Sequence, residues 1–315
     1  MLQYLVILLD DTSVAYCHAD NPLRQRNLMP LDTLRKAIVF GMKENLMIQY
    51  VYPDYELPEE YNEVIESIDH QKIGRDIVIC NGVPDKITSE NVVLRLSVAD
   101  FIAHQHDIAK LLPEAVRLNI CLTDIELFTD DQQETYKQAL ATLYDVLYTQ
   151  YIHSDKRTQI NILTDLMLLT DMNNCGAGDT NITVAPNGRF YICPAFYYDE
   201  QTGVDNRLNH RQPSSERSVG DLDVGLQIPN QQLLHLSHAP LCRFCDAYHC
   251  NRCVWLNQKL TWDINTPSHQ QCVLAHLERN ATRDFQLRLK DAGMIIDNEI
   301  RQINYLDPFD VRKEN

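Results

Sequence analysis

Three observations predict the fold class: α/β, with a partial (β/α) barrel followed by a small cysteine-rich α+β metal domain. Short apolar runs alternate with helical periodicities over residues 1–165, the pattern of parallel strands with helices packed outside them. Seven of the ten cysteines crowd between Cys175 and Cys272, and two CxxC pairs stand only four residues apart. At 315 residues and 44% hydrophobic, the chain is long enough to bury a sizeable core and to divide into domains.

Taken in order, residues 3–9, QYLVILL, form the kind of apolar run that buried parallel strands show. After the polar loop DDTSVAYCHADNPLRQRN, a helix starts near Leu31, with Pro30 before it and Leu34, Ile38 and Met42 at helical spacing. Residues 47–52 are a second strand and PEEYNEVIESI a helix. Residues 76–80 make a third strand, closed by Asn81-Gly82, and residues 92–98 a fourth, followed by a helix through Ile102 and Ile108 to Leu112. Residues 117–125 are the fifth. The long helix behind it opens on the capping pair Thr129 and Gln132 and turns Tyr136, Leu140, Leu143 and Leu147 inward. Residues 159–163 are a candidate sixth strand. Cys80 and Cys121 fall inside strand patterns and are expected as core thiols.

In the second half, VAPNGRFYIC predicts a β-hairpin with its turn at Asn187-Gly188, which returns Cys193 towards Cys175. Residues 199–220 are polar and expected as a surface loop. Residues 277–303 are expected as a charged, solvated helix ending before Pro308. The expected division is 1–165 barrel, 166–280 cysteine domain and 281–315 charged helix and tail.

The net charge of −16 argues against a nucleic-acid surface and suits a basic partner. No apolar run reaches the ~20 residues of a membrane helix. The opening MLQYLVILLDDTSV lacks a basic segment and a small-residue cleavage site, so a cytoplasmic location with reduced thiols is expected. Reduced cysteines in CxxC pairs point to metal. His235, His238, His249, His269 and His276 lie around them as further candidate ligands.

The order Cys175, twelve residues, Gly188, four residues, Cys193, then Cys242xxCys245, Cys250xxCys253 and Cys272 resembles the SPASM domain of peptide-modifying radical SAM enzymes. The two inner gaps of the second half are each one residue shorter than in that family. The resemblance implies two 4Fe–4S clusters. Cys242, Cys245, Cys250 and Cys272 would hold one. Cys175, Cys193 and Cys253 would hold the other, its fourth position unassigned, because Leu169 stands where some relatives have a further cysteine. Asp179, His249 or a substrate thiolate are the candidates for that corner. The alternative is a zinc knuckle built from the two CxxC pairs, with the remaining cysteines unligated.

The barrel half resembles a radical SAM core that has lost its own cluster. The loop after the first strand keeps only Cys17, in AYCHADNPLRQRNLMPLDTLRKAI, with Asp10 and Val14 where the first two cysteines of CxxxCxxC would stand. YVYPDYELPEEY, after the second strand, has no glycine where that family carries Gly-Gly-Glu. No S-adenosylmethionine is therefore expected, and the bland reading of Cys17 is a vestigial or packing thiol. LQYLVILLDDTSVAYCH resembles the CXXX repeat peptide maturase family. The function this implies is an accessory protein in maturation of a ribosomally made, cysteine-containing peptide. It would bind the precursor, or pass electrons to a separate radical SAM enzyme. The other functional classes are an enzyme using an open iron site on the Cys175 cluster, and a zinc-stabilised peptide-binding module.

Overall fold

The chain is α/β with mostly parallel strands. The structure, a computed structural model, describes residues 2–170, 172–203, 217–248, 250, 252–296 and 298–300. Contacts divide the chain into two units. The first comprises Met1–Ile77, Cys175–Pro240 and Cys253–Thr266; the second comprises Val78–Asn174, Leu241–Arg252 and Pro267–Asn315.

In the first unit, β1 (Tyr4–Leu8) is apolar on both faces because both are covered: Leu5, Ile7 and Leu8 are fully buried. Helix α1 (Leu31–Lys43) sets Leu34, Ala37, Ile38 and Gly41 inward at helical spacing. β2 (Met47–Val51) pairs parallel to β1 from Tyr4↔Met47 onward. After α2 (Glu59–Ile65) comes a strand that the sequence pattern does not reveal, β3 (His70–Ile73), parallel to β2. Its HQKI has only Ile73 fully buried, so no apolar run marks it. β4 (Ile77–Asn81) follows, with Ile73 opposite Ile77.

The second unit continues with β5 (Asn91–Leu96), α3 (Val98–Ala103), α4 (Gln105–Leu111), β6 (Arg117–Leu122), α5 (Gln133–His153), β7 (Gln159–Ile160) and α6 (Thr164–Leu168). β5, β6 and β7 pair parallel in that order. The fourth strand stops short of the expected residue 98 because Ser97 caps α3, its Oγ accepting from the Asp100 N–H at 2.9 Å. The single helix expected through Ile102 and Ile108 is two, divided at His104, whose backbone (φ −103°, ψ 18°) leaves the helical basin. The capping box of Thr129 and Gln132 is present. Tyr136, Leu140, Leu143 and Leu147 are fully buried, as their spacing predicts.

The chain then returns to the first unit. β8 (Asn181–Val184) lies parallel to β1, and β9 (Phe190–Tyr191) folds back antiparallel on β8. The hairpin turn uses Gly188 at φ +76°, where a side chain would be strained. Helices α7 (Pro194–Thr202) and α8 (Val254–Thr261) complete this unit. Of the polar stretch 199–220, residues 199–202 are the end of α7 and residues 204–216 lie outside the described residues, while Val219 is buried.

Helix α9 (His269–Asp291), in the second unit, corrects the expectation of a solvated helix starting near residue 277. It begins eight residues earlier and is deeply buried, with Leu274, Phe285 and Leu289 at 0% exposure. Two of its charges misled because they too are inside: Glu278 accepts from the Tyr136 hydroxyl at 2.7 Å, and Arg279 pairs with Asp246. Residues 301–315 lie outside the described residues, and with them the expected helix end.

Candidate metal centres

The capping box of Ser268 and Gln271 starts α9 and so places Cys272 in its first turn, one turn before His276. Arg279 holds Asp246 with two bonds of 2.6 Å, which fixes the loop carrying the first CxxC against that helix. The result is one cavity lined by Cys242, Cys245, Cys250 and Cys272, together with Met172, Arg252 and His276. Backbone N–H groups are aimed at the sulfurs: Ala247 donates to Cys245 Sγ at 3.4 Å and Arg252 to Cys250 Sγ at 3.3 Å. His276 Nε2 lies 3.5 Å from Cys245 Sγ, and Met172 Sδ 3.6 Å from Cys250 Sγ. Burial pushes the thiols of Cys242, Cys245 and Cys250 up, while the Arg252 cation opposes this at Cys242 and Cys250. Thiols so placed lose their protons to a strong cation, which is how a metal binds them. Between Cys242 and Cys245, Phe244 is 87% exposed, with the Arg243 guanidinium 4.9 Å from its ring centre.

A second group of cysteines gathers in the first unit. Cys175 is followed by Gly176 and Gly178 at φ +59° and +77°, where a Cβ would meet Thr180 Oγ1 and Leu234 Cδ1 at 2.0 and 2.5 Å. That tight turn is closed by the Asn181 side-chain amide, which donates to the Cys175 carbonyl. Cys193 is the N-cap of α7 and Cys253 the N-cap of α8, so both sulfurs sit at positive helix ends. The Trp255 indole N–H donates to Asp199 at 2.8 Å and ties the two helices together. Burial, then the charges of Cys253, Cys17 and Cys175, push the Cys193 thiol well up. Burial, then Cys175 and later Cys17, do the same at Cys253. Tyr16 is likewise raised, by burial first and then by Cys17, Tyr198, Cys193 and Cys175. Cys17 thus lies near enough to Cys193 and Cys253 for its charge to raise both thiols. Its only trace in the sequence is a cysteine kept in the loop after the first strand.

Asp179, a candidate for the fourth corner, is engaged elsewhere: its Oδ1 lies 2.6 Å from His235 Nδ1. His249 lies outside the described residues. His269 stands 3.4 Å from Asp130, and His238 3.2 Å from the Ser237 hydroxyl. Cys80 and Cys121 are half-buried.

The loop after β1 is built around Asp10, which is fully buried. Its Oδ1 accepts from the Thr12 N–H and hydroxyl at 2.7 and 2.6 Å, and its Oδ2 from the Asn27 N–H and the Tyr55 hydroxyl at 2.9 and 3.0 Å. Burial, and then this bond to Asp10, push Tyr55 up to about 12. Val14 donates its N–H to the Tyr52 carbonyl at 2.9 Å and fills the space over Gly74.

Among the described residues, no three His, Cys, Asp or Glu side chains close tightly enough to hold a single metal ion. Four thiols, those of Cys242, Cys245, Cys250 and Cys272, line one cavity, and backbone N–H groups donate to two of the sulfurs, while Cys175 is exposed. No protein-family model and no curated protein matches the chain. Among the described residues, no helix is long and apolar enough to cross a membrane.

Proposed function

We propose that the chain is an iron–sulfur accessory protein with a degenerate radical SAM-type partial barrel and a SPASM-like cysteine region. In this reading it serves the maturation of a cysteine-containing peptide alongside a separate radical SAM enzyme. One observation carries the proposal: the loop that would hold the S-adenosylmethionine cluster is committed to structure, while the cysteines of the chain converge elsewhere. Asp10 spends its carboxylate on Thr12, Asn27 and Tyr55, and Val14 has no donor atom. Cys17 lies near enough to Cys193 and Cys253 for its charge to act on them.

Cys242, Cys245, Cys250 and Cys272 would hold one cluster, and Cys175, Cys193 and Cys253 belong to the other. When bound, such clusters supply one-electron transfer. A cube of four irons spans more than one ion does, so its thiolates stand farther apart than four sulfurs around a zinc at about 2.3 Å. The Arg252 side chain, 6% exposed, brings positive charge to a site that four thiolates make negative. Phe244 offers an apolar foothold beside this site, and the charge of −16 favours a peptide bearing Lys or Arg.

The reading is tested by incubating anaerobically reconstituted protein with S-adenosylmethionine and a strong reductant. No 5′-deoxyadenosine above a protein-free control is expected. Sustained formation of it, with contaminating enzymes excluded, would contradict the assignment as accessory protein.

A further inference from the structure

We propose that His276 is a positioning residue of the centre at Cys242, Cys245, Cys250 and Cys272: its Nε2–H donates to the Cys245 sulfur and makes the bound centre easier to reduce. The inference rests on the iron–sulfur reading above for what is bound; the contact itself belongs to the chain.

The contact is built by register along one helix face. In α9, Cys272, His276 and Arg279 stand at positions i, i+4 and i+7 and so share a face. Arg279 holds Asp246 with two bonds of 2.6 Å. About one turn earlier, His276 meets Cys245, the residue before Asp246, with Nε2 3.5 Å from its Sγ. The ion pair thus clamps the loop where it brings this sulfur to the imidazole. Cys272, a further turn back, lines the same cavity as Cys245 and His276. His276 is 3% exposed, so the ring is shielded from water that would otherwise compete for its N–H.

Chemistry fixes the direction of the bond. A sulfur that holds metal has given up its proton and can only accept, so the ring nitrogen facing it carries the hydrogen. Cys245 Sγ then receives two donors, since the Ala247 backbone N–H points to it at 3.4 Å. Met172, 3.6 Å from Cys250 Sγ, is a thioether with no hydrogen to give and cannot do the same there. Donors at a ligand sulfur stabilise the more negative, reduced state and raise the potential. Four cysteines already line the cavity, which assigns the imidazole to orienting and tuning one of them rather than to replacing one.

The test compares wild type, His276→Leu and His276→Gln with His238→Leu as a control, all purified and reconstituted anaerobically. Iron, sulfide and zinc are quantified, and redox titrations are followed by paramagnetic resonance. Iron and sulfide are expected to be retained in every variant. At a fixed ambient potential, the ratio of reduced to oxidised centre should fall about tenfold for one couple in His276→Leu, a shift of about 59 mV for one electron. His276→Gln, which keeps an N–H donor, should recover most of it, and His238→Leu should match wild type. Wild type grown with 15N-histidine gives a readout that needs no variant: the reduced centre should show the weak nitrogen coupling of a hydrogen bond. Equal potentials in all four proteins, with no nitrogen coupling, overturn the assignment and leave the iron–sulfur reading standing. Loss of about half the iron in both His276 variants, or the strong coupling of a bound nitrogen, makes His276 a ligand and also overturns it. Wild type that carries zinc without sulfide removes the iron–sulfur reading, and the contact is then judged on zinc affinity. About tenfold weaker zinc binding in His276→Leu, restored in His276→Gln, supports it; equal affinities overturn it. Wild type that takes up no metal overturns both.

Discussion

Arg279 stands inside the second unit with 0% of its side chain exposed, and Asp246, itself 22% exposed, answers it with two 2.6 Å bonds. Removing the acid leaves a buried cation without its counter-charge, the costly half of a broken ion pair. Asp246→Ala is therefore expected to lower the unfolding free energy by about 3 kcal/mol, measured by denaturant titration, and to weaken metal retention at the adjacent Cys245. A loss below about 1 kcal/mol would mean that the pair is no more than a surface contact. At this scale the sequence is a partial guide. The spacing of Cys242, Cys245, Cys250 and Cys272 is a guide to the cavity they share, because loop closure between near neighbours depends on spacing. The place of Cys17 is invisible to spacing, since its neighbours come from distant segments and only the fold brings them together. Asp179 looked available for the same reason: its partner His235 is distant in sequence.

Helix α9 shows what an element does for a site. Its start is set by Ser268 and Gln271, which satisfy each other's backbone N–H groups, and the first turn then presents Cys272 to the cavity. Ser268→Ala should cost about 1 kcal/mol in denaturant unfolding and loosen Cys272, while Ser268→Asp should largely restore both. Equal stability of the alanine variant and wild type would show that the cap is incidental. Helix starts of this kind were legible: the Thr129–Gln132 box opens the α5 region where its residues predict it. The character of α9 was not, because Glu278 and Arg279 are read from sequence as solvent-facing when both are buried and partnered. β3 escaped for a matching reason, as a strand with one fully buried side chain carries no period-two signal. Where both faces of a strand are covered, as in β1, the apolar run told the truth.

Over the whole chain, the strand–helix alternation was enough to establish the α/β class, since the crossovers from β1 to β2 and from β5 to β6 leave periodic helices between the strands. The interweaving of three stretches in each unit left no local mark. It is nonetheless what divides the second CxxC, so that Cys250 lines the cavity of one unit while Cys253 caps a helix of the other. The proposal of one cluster in each unit makes a definite stoichiometric claim, one that no single zinc knuckle can imitate. Anaerobic reconstitution followed by joint iron, sulfide and zinc quantification measures it directly. The account predicts roughly eight irons and eight sulfides per chain, as two 4Fe–4S clusters require; about one zinc per chain, with no sulfide after reconstitution, would contradict it.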